Sequence, residues 1–418
     1  MIERLEGSKV RIFRLYGFDL ITDGCLNGLP SVFFYKIVIN LKYSYLLVFL
    51  SFLIACNLNE EEPINQDMSL CAFIISDNDL DDHTDYIEKD LVKGLKGCPI
   101  GTELLLYVDR KDRKPTLRKL FLLESGKVGV KTITEYEEQF STSPDVFKEV
   151  LNAMIKESSG RRYGLIYWSH GNGWLPELSY YNGSQKNTRA IGLDGIYSMN
   201  IEDFGKVLKD VKTPCFVVLD ACYMGAVEVA YTLRNSTDFL ISSSSETLGV
   251  TFPYHLILPD LVEGTNVSLS HSLDLYLDYC YSDYYGDGTI SGMASLIDCN
   301  QMDALAAAFK QVLLSGSINI DTDSIQSFDY SFPHCCYDLR DYANAVTRDS
   351  IVMKLFDTCL DQAVIKKVTT PSLYSVYGGE ENLMAVKNFS GLSVYIPGVS
   401  KEKDSVYKLT EWYKDCYE

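Results

Sequence analysis

A thiol and an imidazole are the minimum for nucleophilic attack on an acyl carbon, because the imidazole takes up and returns the proton that the sulfur gives away. The chain holds such a pair in matched settings. Cys215–Leu219 is an apolar run rich in β-branched and aromatic residues, which predicts a buried strand stopping at Asp220 and followed by Ala221-Cys222-Tyr223-Met224-Gly225. Met224, Val227, Ala230 and Tyr231 recur at helical spacing, so a helix is expected from Met224 to Asn235, with Cys222 in a strand-to-helix turn. That end of a parallel strand is where open α/β sheets hold ligands, and a helix start favours thiolate over thiol. Tyr163–Trp168 is a second buried-strand run and ends in Ser169-His170-Gly171-Asn172-Gly173-Trp174. His170 thus sits in a glycine-flanked loop, 52 residues before Cys222, where another backbone can approach closely.

The elements that must carry these loops alternate along the chain. Leu70–Ser76 reads as a first strand, then an acidic turn Asp77-Asn78-Asp79-Leu80 and a helix to about Lys96. Glu103–Asp109 and Lys119–Glu124 read as strands around a basic hairpin, Arg110–Lys114, and Pro144–Ser158 as a helix with Val146, Phe147, Val150, Leu151 and Met154 on one stripe. Asn200 is placed to cap a helix running to Asp210. Phe239–Ser245 and Thr289–Ile297 read as strands. Tyr254–Gly264, Leu269–Tyr281, Gln301–Leu314 and Ile351–Lys367 read as helices, and Gly391–Pro397 is expected to close the sheet. Alternation of this kind predicts a mostly parallel sheet between helices on both faces. Side chains two apart on a strand share a face, so Asp220 is expected on the side of Cys222, the competing role being to cap the following helix.

With 418 residues, a net charge of −19 and a pI near 4.7, the chain is too acidic to point to a nucleic-acid partner. Its 12 cysteines show neither a CxxC pair nor zinc spacing, and in so long a chain they are not a disulfide framework. Near the start, Tyr43–Ala55 is a 13-residue apolar segment after Lys36 and Lys42, too short to span a membrane comfortably. It ends in Leu53-Ile54-Ala55-Cys56, which resembles a bacterial lipobox and implies lipidation of Cys56 and anchoring in the cell envelope. The expected organisation is therefore a signal segment over 1–55, a polar tether over 56–67, a catalytic domain over 68–400 and a C-terminal helix over 401–418. The acidic residues just after Cys56 resemble a surface-export signal of outer-membrane lipoproteins.

Other polar residues receive structural readings. His83, His255 and His271 lie in helical or loop contexts without a partner motif. In His334-Cys335-Cys336 the adjacent cysteines make poor chelate geometry, and no metal site is assigned. Asp283 and Asp287 could meet calcium, yet no glutamate stands where an EF-hand needs it, so calcium is left without support and no cofactor is required. Asp338 and Asp341 suit a helix start.

Taken in order, Asp77-Asn78-Asp79-Leu80, His170-Gly171-Asn172-Gly173-Trp174, Asp220-Ala221-Cys222-Tyr223-Met224-Gly225, Ser245-Glu246 with Tyr254, and Gly391–Pro397 resemble the clostripain-like cysteine peptidases. About 50 residues from histidine to cysteine is also the caspase separation. The resemblance covers roughly residues 70–400. It implies a caspase-like α/β fold and a Cys222–His170 dyad, with the N–H groups of Gly171 and Cys222 forming the oxyanion hole. It also implies that Asp220 selects Arg or Lys at P1, through the charge-assisted bond that a carboxylate offers a basic side chain. Family members are cut between histidine and cysteine at a basic residue, which makes Lys186 and Arg189, in the polar loop 179–189, the candidate self-cleavage positions. Partners would then be peptides or proteins with exposed Arg or Lys. Two other readings stay open: a peptide-binding lipoprotein of the same fold without catalysis, and a cysteine hydrolase acting on small amides.

Overall fold

In the computed structural model, residues 10–15, 18–23, 67–177, 188–249, 252–282, 290–331, 333–378 and 382–418 are described. The chain divides into two units, Met1–Glu62 and Pro63–Glu418. In the first, β1 (Val10–Leu15) and β2 (Phe18–Asp23) form an antiparallel hairpin. The lipobox segment and Cys56 lie outside the described residues.

The second unit is built on a nine-stranded sheet. Its strands in chain order are β3 (Met68–Ser76), β4 (Glu103–Arg110), β5 (Arg113–Leu122), β6 (Val128–Glu135), β7 (Arg162–Trp168), β11 (Phe216–Asp220), β12 (Phe239–Ser242), β13 (Met293–Asp298) and β15 (Val364–Thr369). Across the sheet the order is β15-β13-β12-β11-β7-β3-β4-β5-β6. The five central strands, β12 to β4, pair in parallel and the flanks pair antiparallel. β3 and β11 are buried along their whole length, the signature of strands covered on both faces.

Strand alternation divides the covering layers. Tyr163, Leu165, Tyr167, Val217 and Leu219 enter one core with α2 (Pro144–Glu157), α3 (Ile201–Val211) and α4 (Val227–Leu233). The same core takes in α7 (Met302–Ser315), α8 (Leu339–Val346) and α9 (Ser350–Ala363). Ile166, Trp168, Phe216 and Val218 enter the opposite core with α1 (Asp81–Leu95), α5 (Tyr254–Glu263) and α6 (Asn266–Tyr281). A small sheet of β8 (Gly171–Glu177), β9 (Thr188–Asp194) and β10 (Tyr197–Asn200) rises between β7 and α3. Asn200 caps α3 as expected, its side chain accepting from Glu202 N at 3.1 Å.

Four expectations need correction. The helix read over Ile351–Lys367 ends at Ala363, because the β-branched run that follows pairs with β13 as the edge strand β15. Gly391–Pro397 does not join the main sheet: its strand β18 (Ser393–Val394) pairs with β14 (Tyr337–Asp338). A separate hairpin joins β16 (Ser372–Tyr374) to β17 (Leu383–Ala385). Residues 401–418 form two helices rather than one, α10 (Lys401–Tyr407) and α11 (Glu411–Tyr417), whose Tyr407 and Trp412 are fully buried in the first core. The strand read from Lys119 begins at Arg113, so the basic hairpin is only a tight turn at Lys111-Asp112, with Asp112 at φ 57°.

Candidate active site

β7 and β11 are parallel neighbours in which Trp168 stands opposite Asp220. His170 and Cys222 each follow two residues beyond that pair, so the chain places them side by side at the carboxyl edge. Trp168, Phe216 and Val218 face the α1, α5 and α6 layer, and alternation carries Asp220 to the same face. The sheet therefore brings together the three residues that the sequence singled out first.

The glycines explain why the two loops touch. A Cβ on Gly171 would fall 2.8 Å from Ala221 Cβ and 2.9 Å from Cys222 O, and one on Gly173 (φ 59°) would fall 2.8 Å from Tyr223 O. The histidine loop thus lies flat on the cysteine turn, a contact that no larger residue permits. Gly192 N donates to His170 O at 2.9 Å. Hydrogen-bonded residues alternate along an antiparallel ladder, so the N–H of Gly171, opposite Ile191, is turned away from β9.

Cys222 is a free, half-buried thiol. Its sulfur lies against Thr247: Thr247 N donates to Sγ at 3.3 Å, Thr247 Oγ1 stands at 3.4 Å and Thr247 O at 3.6 Å. Burial pushes the thiol pKa up, opposed by the Thr247 bonds and reinforced by Glu246 and Asp220. This corrects the expectation that a helix N-terminus lowers it. The helix begins only at Val227, with Ala226 as its cap. The intervening residues turn through a left-handed Tyr223 (φ 62°), pinned by Tyr223 N to Ser245 O at 2.9 Å and Gly225 N to Ser243 O at 2.6 Å.

His170 has a partner that sequence reasoning left without a role. Its Nε2 lies 2.7 Å from Asp79 Oδ1, and this bond to the imidazole holds the Asp79 carboxyl below its usual range. Asp79 belongs to the acidic turn after β3, which is fixed to β9: Asn78 Nδ2 donates to Leu193 O at 2.6 Å and Gly195 N to Asp77 O at 2.8 Å. The available signal was the carboxylate's place at the end of another central parallel strand. With Nε2 engaged, Nδ1 is the ring nitrogen not held by Asp79. The two side chains are not hydrogen-bonded to each other: His170 is held by Asp79 and Cys222 by Thr247.

Asp220 is 2 % exposed and its Oδ2 accepts from Tyr254 Oη at 2.8 Å. It does not cap α4, so the competing structural role falls away. Glu246, two residues past Ser244 on the same rim, accepts from Val376 N at 3.3 Å, fixing the β16–β17 hairpin beside the cysteine. Arg189 lies in β9, its backbone opposite Pro176, whereas Lys186, Asp283 and Asp287 lie outside the described residues. His255 and His271 pair with Asp90 and Asp260, and Asp338 caps α8 through Asp341 N, all structural roles. Among the described residues no group of three or more His, Cys, Asp or Glu side chains is arranged to hold a metal ion.

The sheet, its two helical layers and the histidine loop packed on a cysteine turn define a caspase-like α/β cysteine peptidase. The chain belongs to the clostripain family, whose model matches residues 72–418. It is 22 % identical to clostripain of Hathewaya histolytica over 423 aligned positions, covering 83 % of this chain and 78 % of that protein. An inactive zymogen C11 protease from Parabacteroides distasonis superposes with a TM-score of 0.74 at 26 % identity, covering 85 % of this chain and 99 % of the other. A secreted C11 cysteine protease from Bacteroides thetaiotaomicron, in complex with an irreversible peptide inhibitor, gives a TM-score of 0.73 at 27 % identity, over 84 % and 98 % of the two chains.

Proposed function

We propose that this chain cleaves peptide bonds after Arg or Lys through a Cys222–His170 dyad. The observation that carries the reading is the contact of the Gly171 loop with the Cys222 turn at the ends of paired strands. Cys222 Sγ attacks the scissile carbonyl, His170 Nδ1 receives the thiol proton and returns it to the leaving amine, and water then hydrolyses the acyl-enzyme. The N–H groups of Gly171 and Cys222 receive the oxyanion, where fixed donors act most strongly. Asp220, held in place by Tyr254, recognises the basic P1 side chain. Binding of an irreversible peptide inhibitor by the related Bacteroides protease supports a peptide substrate.

Activation by self-cleavage in the 179–189 loop, after Lys186 or Arg189, belongs to the same reading. A scissile segment must enter a cleft extended and unpaired, and the pairing of Arg189 with Pro176 in the β9 ladder favours Lys186. The Leu53-Ile54-Ala55-Cys56 motif supports a lipid anchor at Cys56 and a cell-envelope location.

The decisive experiment is a fluorogenic peptide panel varying P1, run with the wild type, Cys222→Ala and His170→Ala. Cleavage restricted to Arg or Lys and abolished by Cys222→Ala is expected. Turnover of small amides alone, binding without turnover, or activity surviving Cys222→Ala overturns the reading.

A further inference from the structure

The chain leaving β12 is laced to the turn leaving β11. Ser243 and Ser245 carbonyls accept from Gly225 N and Tyr223 N, and Ser244 Oγ donates to Gly225 O at 2.8 Å. Two residues beyond Ser245, this fixed strand end lays Thr247 against the nucleophile with three polar atoms within 3.6 Å of the sulfur. The loop is braced on both sides. Glu246 holds the Val376 N–H, and Gly249 packs so closely on the first turn of α1 that a Cβ there would fall 2.7 Å from His83 Cδ2.

The polar surroundings of Cys222 otherwise favour the neutral thiol. The groups acting on it are Asp220 at the end of β11, Tyr223 in its own turn and Glu246 beyond β12. Two of these are carboxylates, and the helix that might have supplied positive potential starts five residues downstream. A hydroxyl is unusual in being able to reverse its role: it accepts from S–H in the resting enzyme and donates to the sulfur once the proton has left. A main-chain N–H beside it donates in both states.

From this geometry we infer that Thr247 is the positioning residue of the nucleophile, holding the Cys222 sulfur in place and stabilising its thiolate as the proton passes to His170. The S–H bond breaks, its electron pair stays on sulfur, and the proton moves to the imidazole. The Thr247 hydroxyl then rotates to donate where it had accepted. The inference rests on Cys222 being the nucleophile, but its test is separable from that reading.

The experiment measures the pH dependence of Cys222 alkylation by iodoacetamide, read by mass spectrometry of the Cys222 peptide. It is run on the wild type, Thr247→Val and Thr247→Ser, alongside kcat and KM on a basic-P1 peptide. Losing a hydroxyl bond to a charged acceptor is expected to move the Cys222 profile about one pH unit to the alkaline side in Thr247→Val. It should lower kcat about tenfold at neutral pH, leave KM within about threefold, and be reversed in Thr247→Ser. Superimposable alkylation profiles in Val and wild type overturn the inference, as does a Ser variant no better than Val. Should Thr247→Val not fold, Thr247→Ala takes its place with the same criteria. Loss of the Cys222 role itself would show as turnover surviving Cys222→Ala, whatever Thr247 does.

Discussion

Replacing Asp79 with Asn separates an orienting carboxylate from a buried catalytic one, and the structure sets the size of the effect. The 2.7 Å bond to His170 Nε2 has the geometry of a third catalytic partner, but Asp79 keeps 83 % of its side chain exposed and His170 keeps 35 %. A carboxylate sealed behind a catalytic histidine is worth about 10⁴ in turnover, largely because it fixes the tautomer in a dry site. An exposed ion pair is worth only about 0–1 kcal/mol, since water screens it and both side chains must be ordered. One kcal/mol is about a factor of five, so Asp79→Asn is expected to lower kcat/KM about two- to fivefold, mostly through kcat. The defect should shrink as salt rises from about 20 mM to about 500 mM, because the Debye length falls from about 20 Å to about 4 Å and screening of the exposed pair grows. Steady-state assays on a basic-P1 peptide at the two salt concentrations test this. A loss of about a thousandfold at both would mean that substrate seals the pair from water. An unchanged rate at low salt would mean that Asp79 does not orient His170 at all.

Two further substitutions probe the site from other directions. Gly171→Ala drives a methyl to 2.8 Å from Ala221 Cβ and 2.9 Å from Cys222 O. That overpacking is expected to destabilise the fold by about 1–3 kcal/mol and, by displacing the proposed oxyanion donor, to reduce kcat about 10²–10³-fold. Gly126→Ala, at φ 74° with open space around it, should cost stability and leave kcat alone; equal kcat losses in the two variants would refute the packing argument. Asp109 and Asp194 meet at Ser141, whose Oγ donates to Asp109 and whose N–H donates to Asp194, both at 2.5 Å. Burial raises their pKa values to about 8 and about 6, with Asp77 and Glu138 adding repulsion. For acids raised in the folded state, stability is full below the unfolded value near 4 and falls as pH climbs through the folded values. Asp109→Asn removes that titration, so its thermal midpoint should exceed that of the wild type at pH 8 and match it more closely near pH 5. The reverse order would show that the pair is ionised in the native protein.

The parts of this fold that were legible in the sequence were those whose burial is two-sided. Strands such as β7 and β11 must be apolar throughout, and they announce themselves as short runs bounded by Asp, Ser or Gly. The flanking strands β5 and β6 alternate or lie largely exposed, so their Lys, Arg and Thr residues read as loop, and β6 went unread. β15 failed for another reason: Val364 continues the apolar periodicity of α9, and only its pairing with β13 marks the change of structure. The helix after Cys222 begins at Val227 rather than Met224, because Met224 is buried against the Gly171 loop and not as part of a helical stripe.

Asp79 and Thr247 could not be assigned roles without the order of the sheet, and that order explains the site as a whole. The consecutive strands β12, β11, β7 and β3 are all parallel, so their carboxyl ends present four loops in a row. Those loops carry Thr247, Cys222, His170 and Asp79 in the same sequence, with hydrogen bonds inside each outer pair and none across the middle. The two halves are each pre-set: a sulfur with a reversible hydroxyl partner, and an imidazole with one nitrogen already committed. In the proposed reaction the scissile amide lies between the two halves, where the proton passes from sulfur to imidazole. The protein then has little left to rearrange beyond a rotation of the S–H bond from Thr247 toward His170, the sulfur itself staying against Thr247, and substrate binding supplies the missing contact.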